Sequence, residues 1–187
     1  TVHKVLDVVA DTGTVFGIIP VGPLNHLARI LGVPTGVEAC NALSARIIES
    51  IDIGTVNGRR FITSLSIPDF RAELTCEGKY RVFSIGRGAL DVRNLASCVV
   101  TSSDAVADPS DGLLETSIRV GVRHGWGPFS RQRIEESVLP LASMAVRSEQ
   151  PVTAYVDGVE LRGTRFDIGV EPKVLRVIVG RDRAFTS

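Results

Sequence analysis

The sequence predicts an α+β protein, with a partial α/β layer over residues 1–50 and an antiparallel β-sandwich over residues 51–187. Three observations carry this. Apolar residues recur at helical spacing up to Ser50 and at a period of two after it. Asn57-Gly58, Glu77-Gly78 and Asp157-Gly158 lie between short apolar runs, and such pairs tolerate the left-handed backbone of tight hairpins. Seven or more short strands with regular turns then suggest a sandwich. No internal repeat or low-complexity linker is visible, so the boundary near Ser50 is a change of period and not a tether.

Taken in order, Val2, Val5, Leu6 and Val9 share one face of a helix that Gly13 ends. Val15 to Ile19 reads as a short buried strand. Leu24, Leu27, Ala28 and Leu31 are helix-spaced again, and Gly32 and Pro34 stop the run. Thr35 and Glu38 stand at capping-box spacing and open a helix expected to turn Val37, Cys40, Leu43 and Ile47 inward. Ile51 and Ile53 begin the alternation, and Arg60 to Ser66 forms the return strand of the first hairpin. Further strands are expected at 71–76, 79–85, 92–102, 113–122, 151–157, 164–170 and 174–179. One amphipathic helix, Ser130 to Ala142, is expected to interrupt them.

Composition excludes several classes. The 187 residues balance 21 Lys+Arg against 21 Asp+Glu, and 44% are hydrophobic. That is a globular composition, not a disordered one. Zero formal charge argues against nonspecific nucleic-acid binding, which draws its affinity from basic side chains. No run approaches the length of a membrane-spanning helix, and no basic start precedes an apolar stretch as in a signal peptide. The first residues read as the inside of a helix, so the chain is expected to be the C-terminal part of something longer. Cys40, Cys76 and Cys98 fit neither a disulfide framework nor a zinc pattern. Reduced thiols and a cytoplasmic setting follow as expectations.

Few residues advertise chemistry. His3, His26 and His124 are far apart, without ligand-spaced partners, and no serine sits in a Gly-x-Ser-x-Gly elbow. Asp104, Asp108, Asp111 and Glu115 crowd around a Pro- and Gly-containing turn. Such a turn is either a hard-cation site completed by carbonyls or an ordinary acidic turn. Gly17 to His26 reads as strand, glycine turn and helix start, where exposed N–H groups can receive phosphate. Trp126 and Phe129, among Gly125, Gly127 and Pro128, form either an apolar loop or a packed core element.

These segments, in order, resemble the bacterial diacylglycerol kinase and sphingosine kinase family of lipid kinases. Thr1-Val-His-Lys-Val-Leu is similar to the end of that family's Gly-Gly-Asp-Gly-Thr loop and the helix after it. Gly17 to Arg29 resembles its second nucleotide motif, and Ile30-Leu-Gly-Val-Pro34 continues it. Asp52-Ile-Gly-Thr-Val-Asn-Gly58 resembles the first hairpin of its β-rich domain, Asp111-Gly-Leu-Leu-Glu115 its Asp-Gly-Leu-Leu-Asp/Glu segment, and Val156-Asp-Gly158 its late Val/Leu-Asp-Gly-Glu turn. The resemblance implies that residues 1–50 are a remnant of a nucleotide-binding domain and that residues 51–187 are the lipid-kinase sandwich. It implies transfer of a phosphoryl group from ATP to a lipid hydroxyl, with Mg2+ as cofactor and peripheral contact with a membrane. By position, Thr1, His3, Gly22 and Asn25 would border the nucleotide, and Asp111 with the carbonyls of Asp108 and Leu113 would hold the metal.

Departures from the family pattern accompany the match. The Gly-Gly-Asp-Gly portion is absent. Pro23 replaces the second motif's threonine, and the stretch from Ile67 to Arg71 is short. Val159 stands where the family places its catalytic glutamate, and Glu160, one residue later, would point to the other face of a strand unless a bulge re-aims it. The alternative reading is a catalytically degenerate module that binds lipid or a protein partner. The edge near Val15 to Ile19 is a candidate for pairing with a second copy.

Overall fold

The computed structural model describes residues 5–22, 25–83, 88–95, 107–124 and 131–185; of residues 70, 83, 121–124 and 131–133 it describes the backbone alone. Thr1, His3, Pro23, Leu24, Cys98, Asp104, Trp126 and Phe129 lie outside the described residues.

Three short helices come first: α1 (Leu6–Thr12), α2 (His26–Ile30) and α3 (Glu38–Ala45). Gly13, at φ 62°, ends α1 and donates its N–H to Ala10 O. Gly32, at φ 68°, follows α2, and a Cβ there would strike the backbone of Asp182 and Arg183. The C-terminal tail crosses at that point, with Gly180 N donating to Leu31 O and Ala184 N to Ile30 O. Helix α3 departs from expectation. It starts at Glu38 on Val37 with no side-chain cap, because Gly36 at φ 68° turns the chain after Thr35 and leaves the capping box unformed. Of the residues expected inward, Leu43 and, just past the helix, Ile47 are half-buried, whereas Val37 and Cys40 are exposed; Ala39 is buried and Ala42 half-buried in their place. The strand expected at Val15 to Ile19 is reduced to one parallel bridge, Phe16 to Val177.

The rest is sheet: β1 (Ile48–Val56), β2 (Arg59–Phe61), β3 (Ser64–Phe70), β4 (Glu73–Cys76), β5 (Tyr80–Phe83), β6 (Gly88–Arg93), β7 (Leu114–His124), β8 (Arg131–Leu141), β9 (Ser143–Val156) and β10 (Val159–Ile178). All three expected hairpin turns form, with positive φ at both central residues of each. The helix expected from Ser130 to Ala142 is a strand. β8 pairs with β7 over eleven residues, from Leu114 opposite Leu141 to His124 opposite Arg131. Ile134, Val138 and Leu141 are helix-spaced, but β8 is an edge strand and needs no strict alternation; Pro140, a helix breaker, is tolerated there. The strands expected at 164–170 and 174–179 fuse into β10, and the return strand from Arg60 to Ser66 divides at Ile62 and Thr63.

Among the described residues the ten strands form one antiparallel sheet, ordered β2-β1-β10-β9-β3-β6-β7-β8, which branches at β9. Tyr155 and Val156 of β9 pair with β3, while Met144 to Arg147 pair with β4 and hence β5. The expected sandwich is therefore two arms of one sheet around a shared apolar core. Leu65, Ile67, Leu90 and Ile118 enter it from one arm, Leu74 and Val146 from the other, and Phe166 from β10. A second core packs α1–α3 against Ile51 and Ile53 of β1, Leu175 and Val177 of β10, and Phe185 of the tail. Thus β1 and β10 serve both cores.

Candidate functional site

The seam between the two cores contains an interruption in the β1–β10 ladder. Ile51 pairs with Leu175 and Ile53 with Glu171, so one residue of β1, Asp52, faces a bulge of three, Pro172 to Val174. Lys173 at its centre has φ 54°. Asp52 is fully buried, and its carboxylate fills the bulge. Oδ1 accepts the Lys173 N–H at 2.8 Å, and Oδ2 accepts the Gly112 N–H at 2.7 Å. Its own N–H donates to Pro109 O at 2.6 Å, and its carbonyl accepts Asn94 Nδ2 at 2.7 Å. Asn94, also fully buried, donates a second time to Ile62 O. Burial pushes the Asp52 carboxyl up from its ordinary range, while the two backbone donors pull the other way.

Asp52 thereby fixes the turn that the sequence marks as a candidate metal site. Within that turn, Asp108 Oδ1 accepts the Ser110 N–H and hydroxyl, and Asp111 Oδ1 accepts the Leu113 N–H at 2.8 Å. These are Asx turns, the local bonds that let aspartate shape a loop. Gly112 takes φ 76°, and a Cβ there would touch only Pro172, the first residue of the bulge. The Asp111 residue is exposed. Among the described residues no three His, Cys, Asp or Glu side chains converge as a metal cage. What the turn offers a cation is one exposed carboxylate, Asp111, whose Oδ1 already accepts the Leu113 N–H.

Asp157, in the β9–β10 turn, stitches the sheet beside this seam. Oδ2 accepts the Ile62 N–H, while Oδ1 accepts the N–H groups of Thr63 and Ser64 and the Thr63 hydroxyl. The expected base lies just beyond it. Val159 pairs with Val156 and Glu160 with Tyr155, and the register runs unbroken to Gly163. No bulge re-aims Glu160, which is exposed on the face away from Leu161 and the apolar core. Asn25 precedes α2 without making a side-chain cap, and Gly22 is exposed nearby. Asn25 and Arg29 line a shallow cleft of about 620 Å³ with Pro34, Thr35, Glu38 and Asp182. Among the described residues no hydrogen bond or ion pair joins Gly22, Asn25 or Glu160 to the Asp111 turn.

Residues 1–56 match the diacylglycerol kinase catalytic domain. A diacylglycerol kinase of Bacillus subtilis (strain 168) is 38% identical over 66 residues, which is 33% of this chain and 22% of that protein. Three solved structures from Bacillus anthracis str. Sterne, described as diacylglycerol kinases, share the fold at 16% identity. Their TM-scores are 0.76, 0.72 and 0.69, covering 96%, 91% and 91% of this chain and 75%, 71% and 68% of theirs. The chain is thus similar to bacterial diacylglycerol kinases in sequence over its first third and in fold over nearly its whole length. The sequence match to the catalytic domain ends at Val56, so it contains Asp52 but not Asp111, whose turn is reached through the fold alone. Among the described residues no helix is long and apolar enough to cross a membrane.

The sequence marks Asp108, Asp111 and Leu113; it presents Asp52 only as the start of a hairpin motif and Asp157 only as a turn residue, and it does not single out Asn94 or Lys173. One signal was available for Asp52, an aspartate set between Ile51 and Ile53 in an alternating strand. Nothing local marks Asn94 or Lys173, because their roles depend on partners at least 32 residues away.

Proposed function

We propose that this chain is part of an ATP-dependent lipid kinase that transfers a phosphoryl group to the hydroxyl of a diacylglycerol- or sphingoid-like lipid. The observation that carries the reading is the Asp52 joint. A buried carboxylate fixes an exposed aspartate turn at the seam beside helices whose sequence matches a kinase catalytic domain. In this reading residues 1–50 belong to a nucleotide-binding domain and residues 51–187 to the lipid-facing sandwich. Thr1, His3, Gly22 and Asn25 border the nucleotide. Asp111, with the carbonyls of Asp108 and Leu113, holds magnesium, which supplies charge neutralisation for the phosphates when bound. Asp52 orients the turn from behind. Glu160, the base the sequence offers, faces away from the core on an unbroken strand, so this reading gives it no proton transfer. A cytoplasmic protein touching the membrane peripherally, and pairing of two copies near Phe16, belong to the same reading.

The second reading is a degenerate module that binds lipid without turnover. Val159 favours it, because its side chain cannot accept a proton and it begins a regular strand whose next residue faces away. One experiment separates the two. The natural protein containing this chain is given γ-labelled ATP, magnesium and vesicles carrying diacylglycerol. Label in phospholipid, lost about tenfold or more in Asp111→Ala, supports the kinase; tenfold corresponds to about 1.4 kcal/mol of barrier. Vesicle binding with no label, while ATP is bound, overturns the kinase and leaves the module.

A further inference from the structure

Arg60 reaches three carboxylates, Asp7, Asp11 and Glu171, and the lipid-kinase reading gives it no role. It lies on β2, one strand beyond β1, with its side chain 18% exposed. Its Nε donates to Glu171 at 3.1 Å and its Nη2 to Glu171 Oε2 at 2.9 Å, a two-pronged grip on β10. Its Nη1 turns the other way, to Asp11 Oδ1 at 2.6 Å and the Asp7 carbonyl at 3.5 Å, both on α1. Such a planar fork holds two carboxylates in fixed directions, which an ammonium does not. Glu171 and Asp11 hold the guanidinium far above its ordinary pKa.

Glu171 is the last paired residue before the bulge. Pro172 comes next and lies against Gly112. Lys173 follows, with its N–H on Asp52, whose other oxygen holds Gly112. A continuous set of contacts thus runs from α1 through Arg60, Glu171, the bulge and Asp52 to the turn bearing Asp111.

The geometry points to Arg60 as a positioning residue that sets α1 against the Asp111 turn. As a statement about catalysis this rests on the lipid-kinase reading; the clamp itself is a property of the fold. Arg60 touches no reacting atom and acts through the bulge. It would hold the nucleotide-side helix and the metal-side turn at one separation, so that MgATP meets both at once and its binding, more than the transfer step, depends on Arg60.

The test has two arms. In the first, amide exchange is followed residue by residue in the full chain carrying Arg60→Lys, with Glu171→Gln as the milder variant should Arg60→Lys fold poorly. The expected result is exchange about tenfold faster at Val9 in α1 and also at Lys173 and Gly112, with the β7–β8 ladder unchanged, since local opening can be confined to one cooperative region. Faster exchange at Val9 alone would overturn the proposal and leave Arg60 a helix anchor. Equal acceleration everywhere, in both variants, would overturn it as well. In the second arm, the natural protein carrying Arg60→Lys is expected to show a KM for MgATP about tenfold higher with kcat within about twofold, the pattern of lost positioning in binding. Unchanged KM in an active enzyme overturns the proposal. Absence of transfer by the unsubstituted protein sinks the kinase reading instead, and the exchange arm still decides the clamp.

Discussion

The two apolar cores are built by different means. The sheet core is closed by long ladders, eleven residues between β7 and β8 and most of β9 along β10. The helical core rests on helices of seven, five and eight residues, too short to persist alone. It also leaves Val5, Val8, Ile19, Val21 and Val37 exposed within its first forty or so residues. The difference teaches where the helical layer gets its order. It is held by strands that belong to the other core: β1 and β10 beneath it, the tail across α2, and Arg60 across α1.

This comparison is broken most sharply by cutting each core in turn. Leu31 and Leu90 are both fully buried, one in each. Leu31→Ala and Leu90→Ala should each cost about 2–5 kcal/mol. Because β1 and β10 feed both cores, calorimetry should show one transition moved down in either variant. Two separated transitions in Leu31→Ala would show that the helical layer folds on its own account.

The joint can be stressed directly. Gly54 of β1 pairs with Phe61 of β2, and the Phe61 ring lies across the glycine so closely that a Cβ would overlap it. This is the shielding of a strand glycine by an aromatic partner. Gly54→Ala should cost about 1–3 kcal/mol through overpacking. Adding Phe61→Leu should recover part of that loss, measured as a non-additive shift in the denaturation midpoint. Strict additivity would mean that the ring and the glycine are not coupled.

Legibility in the sequence follows the same division. The three hairpins were readable because Asn57-Gly58, Glu77-Gly78 and Asp157-Gly158 each specify their turn from two adjacent residues. The stop of α1 at Gly13 was readable for the same local reason. Strand β8 was not, since Ile134, Val138 and Leu141 mimic a helix and only pairing with β7 decides the matter. At α3 the inward placement of Val37 and Cys40 was misjudged because Gly36 shifts the helix start, and small alanines then allow close approach. The Asp111 turn was visible as an acidic run, but the residue that shapes it, Asp52, lies about sixty positions away and is joined to it only by the fold.

Asp52 sharpens the comparison in a second way, because it is a buried charge between the cores. Asp52→Asn should cost about 1–3 kcal/mol at low pH or neutral pH alike if geometry alone matters, since one buried N–H loses its acceptor. The titration adds a slope. Burial raises the folded-state pKa above the ordinary 3.8, so the folded chain holds the proton more tightly than the unfolded chain does. The stability linked to this group is complete below the ordinary value and is lost as pH rises through the raised one. Asparagine does not titrate there. Urea midpoints of both proteins, taken from about pH 3.5 to about pH 7, should show the advantage of aspartate shrinking as pH rises. An advantage growing with pH would mean that the Lys173 and Gly112 donors outweigh burial.

The smallest expected effect lies in the contrast among the three hairpin turns. Asn57 donates Nδ2 to Arg165 O and accepts the Asp167 N–H, and Asp157 binds the backbone from Ile62 to Ser64. Glu77 takes the same left-handed backbone, φ 50°, yet its side chain makes no hydrogen bond among the described residues. A long side chain in that conformation is strained, and asparagine is better tolerated there. Glu77→Asn should therefore stabilise the chain, by about 0.5 kcal/mol or 1–2 °C in Tm. The substitution also removes a charge beside the Cys76 thiol, whose pKa is raised first by burial and then by Glu77. The thiol should consequently titrate slightly lower in the variant while staying above its ordinary value, because burial remains. A lower Tm would show that the Glu77 side chain contributes to the β4–β5 turn in a way its backbone conformation does not reveal.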